Sequence, residues 1–135
     1  MLPSIKEIQE MVTQLGEVID APSFLLFVSP EPVGDGTPHL EVVNDKFNYV
    51  VTERNVEFSR RATSSVDELL YWIMKGVVSK MAMEFELNNR VVGQDFRRLY
   101  FSKMIDLLGR LSPSWRGKVK EEIEEILERS PYVDA

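Results

Sequence analysis

Apolar residues recur every three to four positions at the start of the chain, which predicts an amphipathic helix from about Ser4 to Ile19. The shared apolar face carries Ile5, Ile8, Val12, Leu15 and Ile19. Ser4 and Glu7 have the spacing of a capping box, in which each side chain accepts a hydrogen bond from the other residue's backbone N–H. The sequence Asp20-Ala21-Pro22 is expected to end this helix, because proline disfavours helical geometry in the residue before it.

The middle third changes to strand-like patterns. Phe24 to Val28 is a short continuous apolar run, typical of a strand covered on both faces. Ser29 to Pro38 contains three prolines and two glycines and is expected to be a loop. Three further strands are predicted over Leu40 to Val43, Lys46 to Glu53 and Val56 to Arg60, with turns at Asn44-Asp45 and Arg54-Asn55. Such short connections predict an antiparallel meander of roughly four strands.

The last half of the chain is predicted to be helical. Ser65 and Glu68 form a second capping box, and the helix that follows, to about Asn88, is apolar almost all round, which predicts burial on more than one side. Gly93 marks the break before a helix over about Asp95 to Arg110. In the final helix, which ends near Arg129, Ser112 is the predicted N-cap and Pro113 the first helical residue.

These elements predict one α+β domain over residues 1–135. It has an N-terminal helix, a roughly four-stranded antiparallel meander, and three C-terminal helices packed on one face of the sheet. The length is that of a single domain with its own core. A hydrophobic fraction of 44% and a charged fraction of 28% agree with a globular protein rather than a disordered one.

Composition and charge exclude several classes of protein. The chain has no cysteine, which removes disulfides, thiolate metal sites and a cysteine nucleophile. The start lacks the pattern of a signal peptide, and the most apolar stretch, Leu69 to Met83, is interrupted by Lys75 and Lys80. We therefore expect a cytoplasmic protein without membrane association. A net charge of −6 argues against general nucleic-acid affinity.

No catalytic motif stands out in the sequence. The lone histidine, His39, has no neighbour in sequence that would orient it as a catalytic base, so a structural role is expected. Gly34-Asp35-Gly36 resembles part of a metal loop but lacks the other spaced oxygen ligands. The interpretation is a protein that binds a partner, with no catalytic residue, no metal site and no cofactor.

A dense set of polar residues surrounds the predicted junction of the two central helices. It consists of Glu84, Asn88, Arg90, Gln94, Asp95, Arg97 and Arg98. We expect a structural network in which these groups satisfy one another and fix the turn, because a partly buried Glu84 needs a cation or a donor. Two alternatives stay open at this point, a recognition site for a partner and a catalytic acid–base pair.

The final helix carries its charges against the helix dipole, with basic residues early and acidic residues late. Its late acidic residues Glu121, Glu124, Glu125 and Glu128 form a candidate partner-binding surface, which would attract a cationic protein. The competing interpretation is a solvated face without further function.

The second half of the chain resembles the immunity protein 63 family of bacterial polymorphic toxin systems. The most specific segment is Gly93-Gln94-Asp95-Phe96-Arg97-Arg98, and the resemblance extends from about Glu53 to the C-terminus. The segments Leu69-Leu70-Tyr71-Trp72, Glu84-Phe85-Glu86-Leu87 and Leu111-Ser112-Pro113-Ser114-Trp115 also carry it, as does the run from Glu121 to Leu127.

The resemblance implies a small cytoplasmic protein that binds and neutralises a cognate toxin, and it supplies no catalytic residues. We expect occlusion of the toxin by steric and electrostatic means, with a basic surface on the toxin. Two rival hypotheses are a non-catalytic adaptor or regulatory protein of a bacterial operon and a small enzyme that uses Glu84 and Asp95. The identity and activity of the toxin, the contact surface and the oligomeric state stay open.

Overall fold

The computed structural model describes residues 2–135 and contains four α-helices and one antiparallel sheet. In chain order the elements are α1 (Ile5–Val18), a short 3₁₀ turn (Ser23–Leu25), β1 (Asp35–Val43), β2 (Lys46–Glu53), β3 (Val56–Thr63), α2 (Val66–Asn88), α3 (Arg97–Leu111) and α4 (Pro113–Arg129). The α+β class and the N-terminal helix are therefore confirmed.

The chain falls into two compact units. The first combines residues up to Gly16 with Pro22–Ile73, and the second combines Glu17–Ala21 with Met74–Ala135. Helix α2 contributes residues to both. The single domain over 1–135 and the packing of the C-terminal helices on the sheet stay predictions.

The first of the two predicted capping boxes is complete, whereas the second forms only one of its two hydrogen bonds. Ser4 N–H donates to Glu7 Oε1 and Glu7 N–H donates to Ser4 Oγ, both at 3.1 Å, which is the reciprocal capping box. At the start of α2 the Glu68 N–H donates to Ser65 Oγ at 3.1 Å, while the Ser65 N–H donates to Thr63 Oγ1 instead.

The sheet has the strand order β1-β2-β3, and both of its connections are the predicted two-residue turns. Asn44 and Asp45 have φ values of 52° and 58°, and Arg54 and Asn55 have 51° and 64°. Positive φ at both central residues is the signature of a type I′ turn, whose twist matches that of antiparallel strands.

The predicted strand at Phe24–Val28 is wrong, and the sheet has three strands rather than four. This segment forms the 3₁₀ turn and an irregular stretch in which Phe24 and Phe27 are 78% and 71% exposed, while Leu26 and Val28 are buried. The side-chain amide of Gln9 takes the place of a neighbouring strand. It donates to Leu26 O and accepts from Val28 N–H, each at 2.7 Å, so these backbone groups are satisfied without a ladder.

Strand β1 begins at Asp35, five residues before the predicted start at Leu40, so the end of the predicted loop is wrong. Pro38 lies within β1 although it has no N–H to donate. It pairs with Val51 on one side, and on the other side β1 has only the single bridge between Ser29 and His39. Proline is tolerated at such an edge position. Strand β3 also runs further than predicted, to Thr63.

The core of the first unit is built on the central strand. Phe47 and Val50 of β2 are 0% and 1% exposed, and the ring of Tyr49 stacks on Trp72 of α2 with centroids 6.5 Å apart. Burial raises the pKa of Tyr49 to about 12. The Arg61 guanidinium lies over the Trp72 ring, 4.2 Å from its centroid, in a cation–π contact.

The second unit is helical and has its own buried positions. On its last two helices they are Phe101, Met104, Leu107 and Leu108 of α3, and Trp115, Val119 and Ile123 of α4. Ser112 caps α4 as predicted, since its side chain accepts from Trp115 N–H at 3.3 Å and Pro113 follows it. Gly93 has φ 82°, the left-handed conformation expected at the break between α2 and α3.

Candidate functional site

The buried carboxylate of α2 belongs to Glu86, which is 1% exposed. Arg90, one turn later, donates to both of its oxygens, at 2.9 Å and 3.1 Å, and these hydrogen bonds hold the pKa of Glu86 below its usual range. Glu84, which was expected to belong to the polar network, is exposed. Glu86 follows the buried residues Val78 and Ala82 at four-residue spacing, but α2 is apolar on almost every face, so this register was difficult to identify from sequence.

Asp95 lies just before α3, and its carboxylate has three donors. The Arg97 side chain donates at 2.8 Å, the Arg97 backbone N–H at 3.0 Å and the Val133 N–H at 2.9 Å. The side chain of Asp95 is only 8% exposed. These bonds, with that from the Arg97 guanidinium the largest contribution, lower the pKa of Asp95 far below its ordinary value.

The same arginine reaches the end of the chain. Arg97 donates to the backbone oxygens of Ser130 and Pro131, each at 2.9 Å. We call residues 130–135 the C-terminal segment. The Arg97 guanidinium thereby attaches the backbone of this segment to the start of α3. Its planar group carries several N–H donors, so it can bind several acceptors at once.

Arg98 and Tyr132 complete this attachment. Arg98 pairs with the Asp134 carboxylate at 2.9 Å and lies over the Tyr132 ring, 4.2 Å from its centroid. Asp134 also accepts from the Asp95 N–H at 2.8 Å, and Ala135 N–H donates to Gly93 O at 2.8 Å. Residues 93–98 therefore bind the C-terminal segment, and the side chains of Asp95, Arg97 and Arg98 have their partners within the chain itself.

The predicted polar residues thus divide into separate groups. Asp95, Arg97 and Arg98 come together on the C-terminal segment, whereas Arg90 pairs with Glu86. Glu84 and Asn88 are exposed, and the Gln94 backbone N–H donates to Val91 O at 3.2 Å. Tyr132 and Asp134 were not identified from sequence, because nothing in the local pattern links them to residues more than thirty positions earlier.

The proposed catalytic pair has unfavourable chemistry for proton transfer at Asp95. A carboxylate that accepts hydrogen bonds from three groups and has a strongly lowered pKa is a weak base near neutral pH. His39 is 3% exposed, and its Nε2 lies 3.3 Å from Glu41 Oε2. Within residues 2–135, no three histidine or acidic side chains are grouped so that they could hold a metal ion.

Helix α4 carries the predicted acidic surface. Glu121, Glu124, Glu125 and Glu128 are all exposed, and we call these four residues the acidic face. None of them forms an ion pair or side-chain hydrogen bond with another residue of the described chain, 2–135. The neighbouring Glu122 differs, since it pairs with Lys75 of α2 at 3.2 Å and ties α4 to that helix.

Comparison with known proteins identifies the family. The model of the family described as immunity protein 63 matches residues 44–125, which is more than half of the chain. The match includes β2, β3, α2, α3 and most of α4, and the C-terminal segment lies outside it. No curated protein and no solved structure matches the chain. In the described residues, no helix is both long and apolar enough to cross a membrane. The protein belongs to the immunity protein 63 family, in agreement with the resemblance found in its sequence.

Proposed function

We propose that this is a cytoplasmic bacterial immunity protein that binds a cognate polymorphic toxin and neutralises it by occlusion. The observation that carries the proposal is the family match over residues 44–125. An immunity protein of this kind needs a stable surface complementary to its toxin and no chemistry of its own. The occupied carboxylates of Glu86 and Asp95 are consistent with that requirement.

The acidic face of α4 is the proposed electrostatic part of the contact. Its four carboxylates are exposed and have no cationic partner among residues 2–135, so they are available to a basic surface. Unpaired charge of one sign accelerates encounter with a partner of the opposite sign and fixes its orientation. We expect the toxin to present a basic surface here and to lose access to its substrate once the complex forms.

Co-expression with the toxin encoded beside this gene tests the proposal. Cells that produce the toxin alone are expected to stop growing, and cells that also produce this protein are expected to grow. The purified proteins should elute together from a size-exclusion column. A toxin from an unrelated system provides the specificity control. If growth does not recover and no complex forms, the immunity function is wrong.

A further inference from the structure

An open groove of about 500 Å³ lies between helices α3 and α4, and Tyr132 of the C-terminal segment also lines it. This volume lies within the range of roughly 300–1,000 Å³ that is usual for ligand-binding pockets. Its walls include the apolar side chains of Phe101, Ile105 and Tyr132. The groove lies wholly within the second unit and is separate from the acidic face, none of whose four residues lines it.

Three guanidinium groups surround these apolar side chains, which is unexpected in a chain of net charge −6. Arg98 is paired with Asp134 at 2.9 Å, and Arg110 is paired with Asp106 at 2.9 Å. Arg116 differs from both. Within the described residues 2–135, its guanidinium has neither an ion pair nor a hydrogen bond. The groove therefore has one positive charge that the chain does not neutralise.

The position of Arg116 is also unfavourable for α4 itself. It lies in the first turn after the Ser112 cap, where the helix dipole is positive and disfavours a cation. Its aliphatic stem is accommodated by Gly109 of α3, where a Cβ would lie 3.1 Å from Arg116 Cδ. Residues that break a local rule are expected at functional or strained sites.

We propose that this groove receives a segment of the cognate toxin that places a carboxylate against Arg116 and an apolar side chain against Ile105 and Tyr132. The inference rests on the proposed immunity function and adds a second, oppositely charged contact to the acidic face. A protein segment fits better than a nucleic acid, because a continuous phosphate backbone would meet the net negative charge of the chain and the acidic half of the same helix.

Charge reversal at Arg116 tests the groove with the full-length protein and the purified toxin domain. Arg116→Glu is expected to weaken the complex by about tenfold or more in Kd, because an attractive contact becomes a repulsive one. The control is Lys6→Glu, which makes the same change from a positive to a negative charge at an exposed position of α1, away from the acidic face in the sequence. This control is expected to leave Kd within about twofold of wild type. Equal thermal midpoints of the two variants would establish that both fold.

The outcomes separate the two proposals. If the wild-type protein binds the toxin and Arg116→Glu binds equally well, the groove assignment is wrong while the immunity function stands. An equal loss in the Lys6→Glu control also overturns the groove, because the net charge of the protein would then explain the effect. Absence of any wild-type complex removes both proposals. Binding of a short single-stranded RNA that Arg116→Glu abolishes, with toxin binding unchanged, would replace the peptide with a phosphate ligand.

Discussion

The backbone N–H of Asp95 donates a 2.8 Å hydrogen bond to the carboxylate of Asp134, which lies 39 residues further along the chain. This contact joins a residue inside the family match to a segment outside it. Both carboxylates have pKa values below their ordinary ones, because Arg97 donates to Asp95 and Arg98 donates to Asp134. The attachment is therefore sensitive to pH.

The first prediction concerns that sensitivity. A carboxyl group whose pKa is lower in the folded state stabilises the fold above its unfolded pKa of about 3.9, and this contribution is lost as the pH falls through the folded value. We therefore expect Asp95→Asn to be less stable than wild type at pH 7, with a difference that shrinks at pH 3. Urea denaturation at the two pH values measures it. Glu84→Gln, an exposed change on α2, is the control, and a pH-independent difference for Asp95→Asn would contradict the prediction.

The second prediction concerns the side chain that replaces a strand partner. In Gln9→Ala, the Leu26 C=O and the Val28 N–H lose their partner, and an unsatisfied buried backbone group costs about 1–3 kcal/mol. We expect the free energy of unfolding to fall by about 2 kcal/mol and the Val28 amide to exchange faster with solvent. Gln14→Ala, at an exposed position of α1, is the matched control. Equal stability of the two variants would show that water replaces the lost bonds without cost.

The third prediction compares two glycines in helices. A Cβ at Gly16 would lie 2.4 Å from Cδ1 of the buried Leu26, whereas a Cβ at Gly117 of α4 would meet nothing within 4 Å. Alanine is favoured over glycine in a helix by about 1 kcal/mol, and overpacking costs about 1–3 kcal/mol. Gly117→Ala is therefore expected to raise the melting temperature and Gly16→Ala to lower it. Adding Leu26→Val to Gly16→Ala tests the cause, because relief of the clash should recover part of the loss.

The fourth prediction concerns association with the toxin. Reversing the acidic face through Glu121→Lys, Glu124→Lys and Glu128→Lys is expected to reduce the association rate by about tenfold at low salt, since electrostatic steering acts mainly on that rate. Stopped-flow mixing at two salt concentrations measures the change, which should diminish as salt increases. The control makes the same charge change at the exposed positions Glu10, Glu53 and Glu84. Unchanged rates for the α4 variant would remove the acidic face as a contact.

The features that the sequence predicted correctly depend on neighbours in the chain. The Ser4 and Ser112 caps involve residues three positions away, and the Asn44-Asp45 turn depends on the conformations of its own residues. The starts of α2 and α4 follow from the same local signals, whereas α3 begins at Arg97, two residues after the predicted start, and has no side-chain cap. Helix periodicity and capping therefore identified the four helices, and the strand patterns with their turn residues identified both hairpins.

The features that were missed depend on distant partners. Phe24–Val28 has the composition of a strand, but the deciding group is Gln9, 17 and 19 residues earlier. Likewise, the polar residues at Asp95–Arg98 have their hydrogen-bond partners in residues 130–135. These partners are more than thirty positions away, so no local sequence pattern indicates them. The choice between Glu84 and Glu86 rested on helix register, which an almost uniformly apolar helix specifies poorly.

The attachment of residues 130–135 to Gly93–Arg98 constrains how chimaeras between members of this family can be built. An exchange that ends at residue 125, where the family match ends, would separate Arg97 from the carbonyls of Ser130 and Pro131 and Arg98 from Asp134. Arg97 and Arg98 would then face a terminus with a different sequence. Segments 93–98 and 130–135 should therefore be exchanged together, so that each arginine keeps its own acceptors.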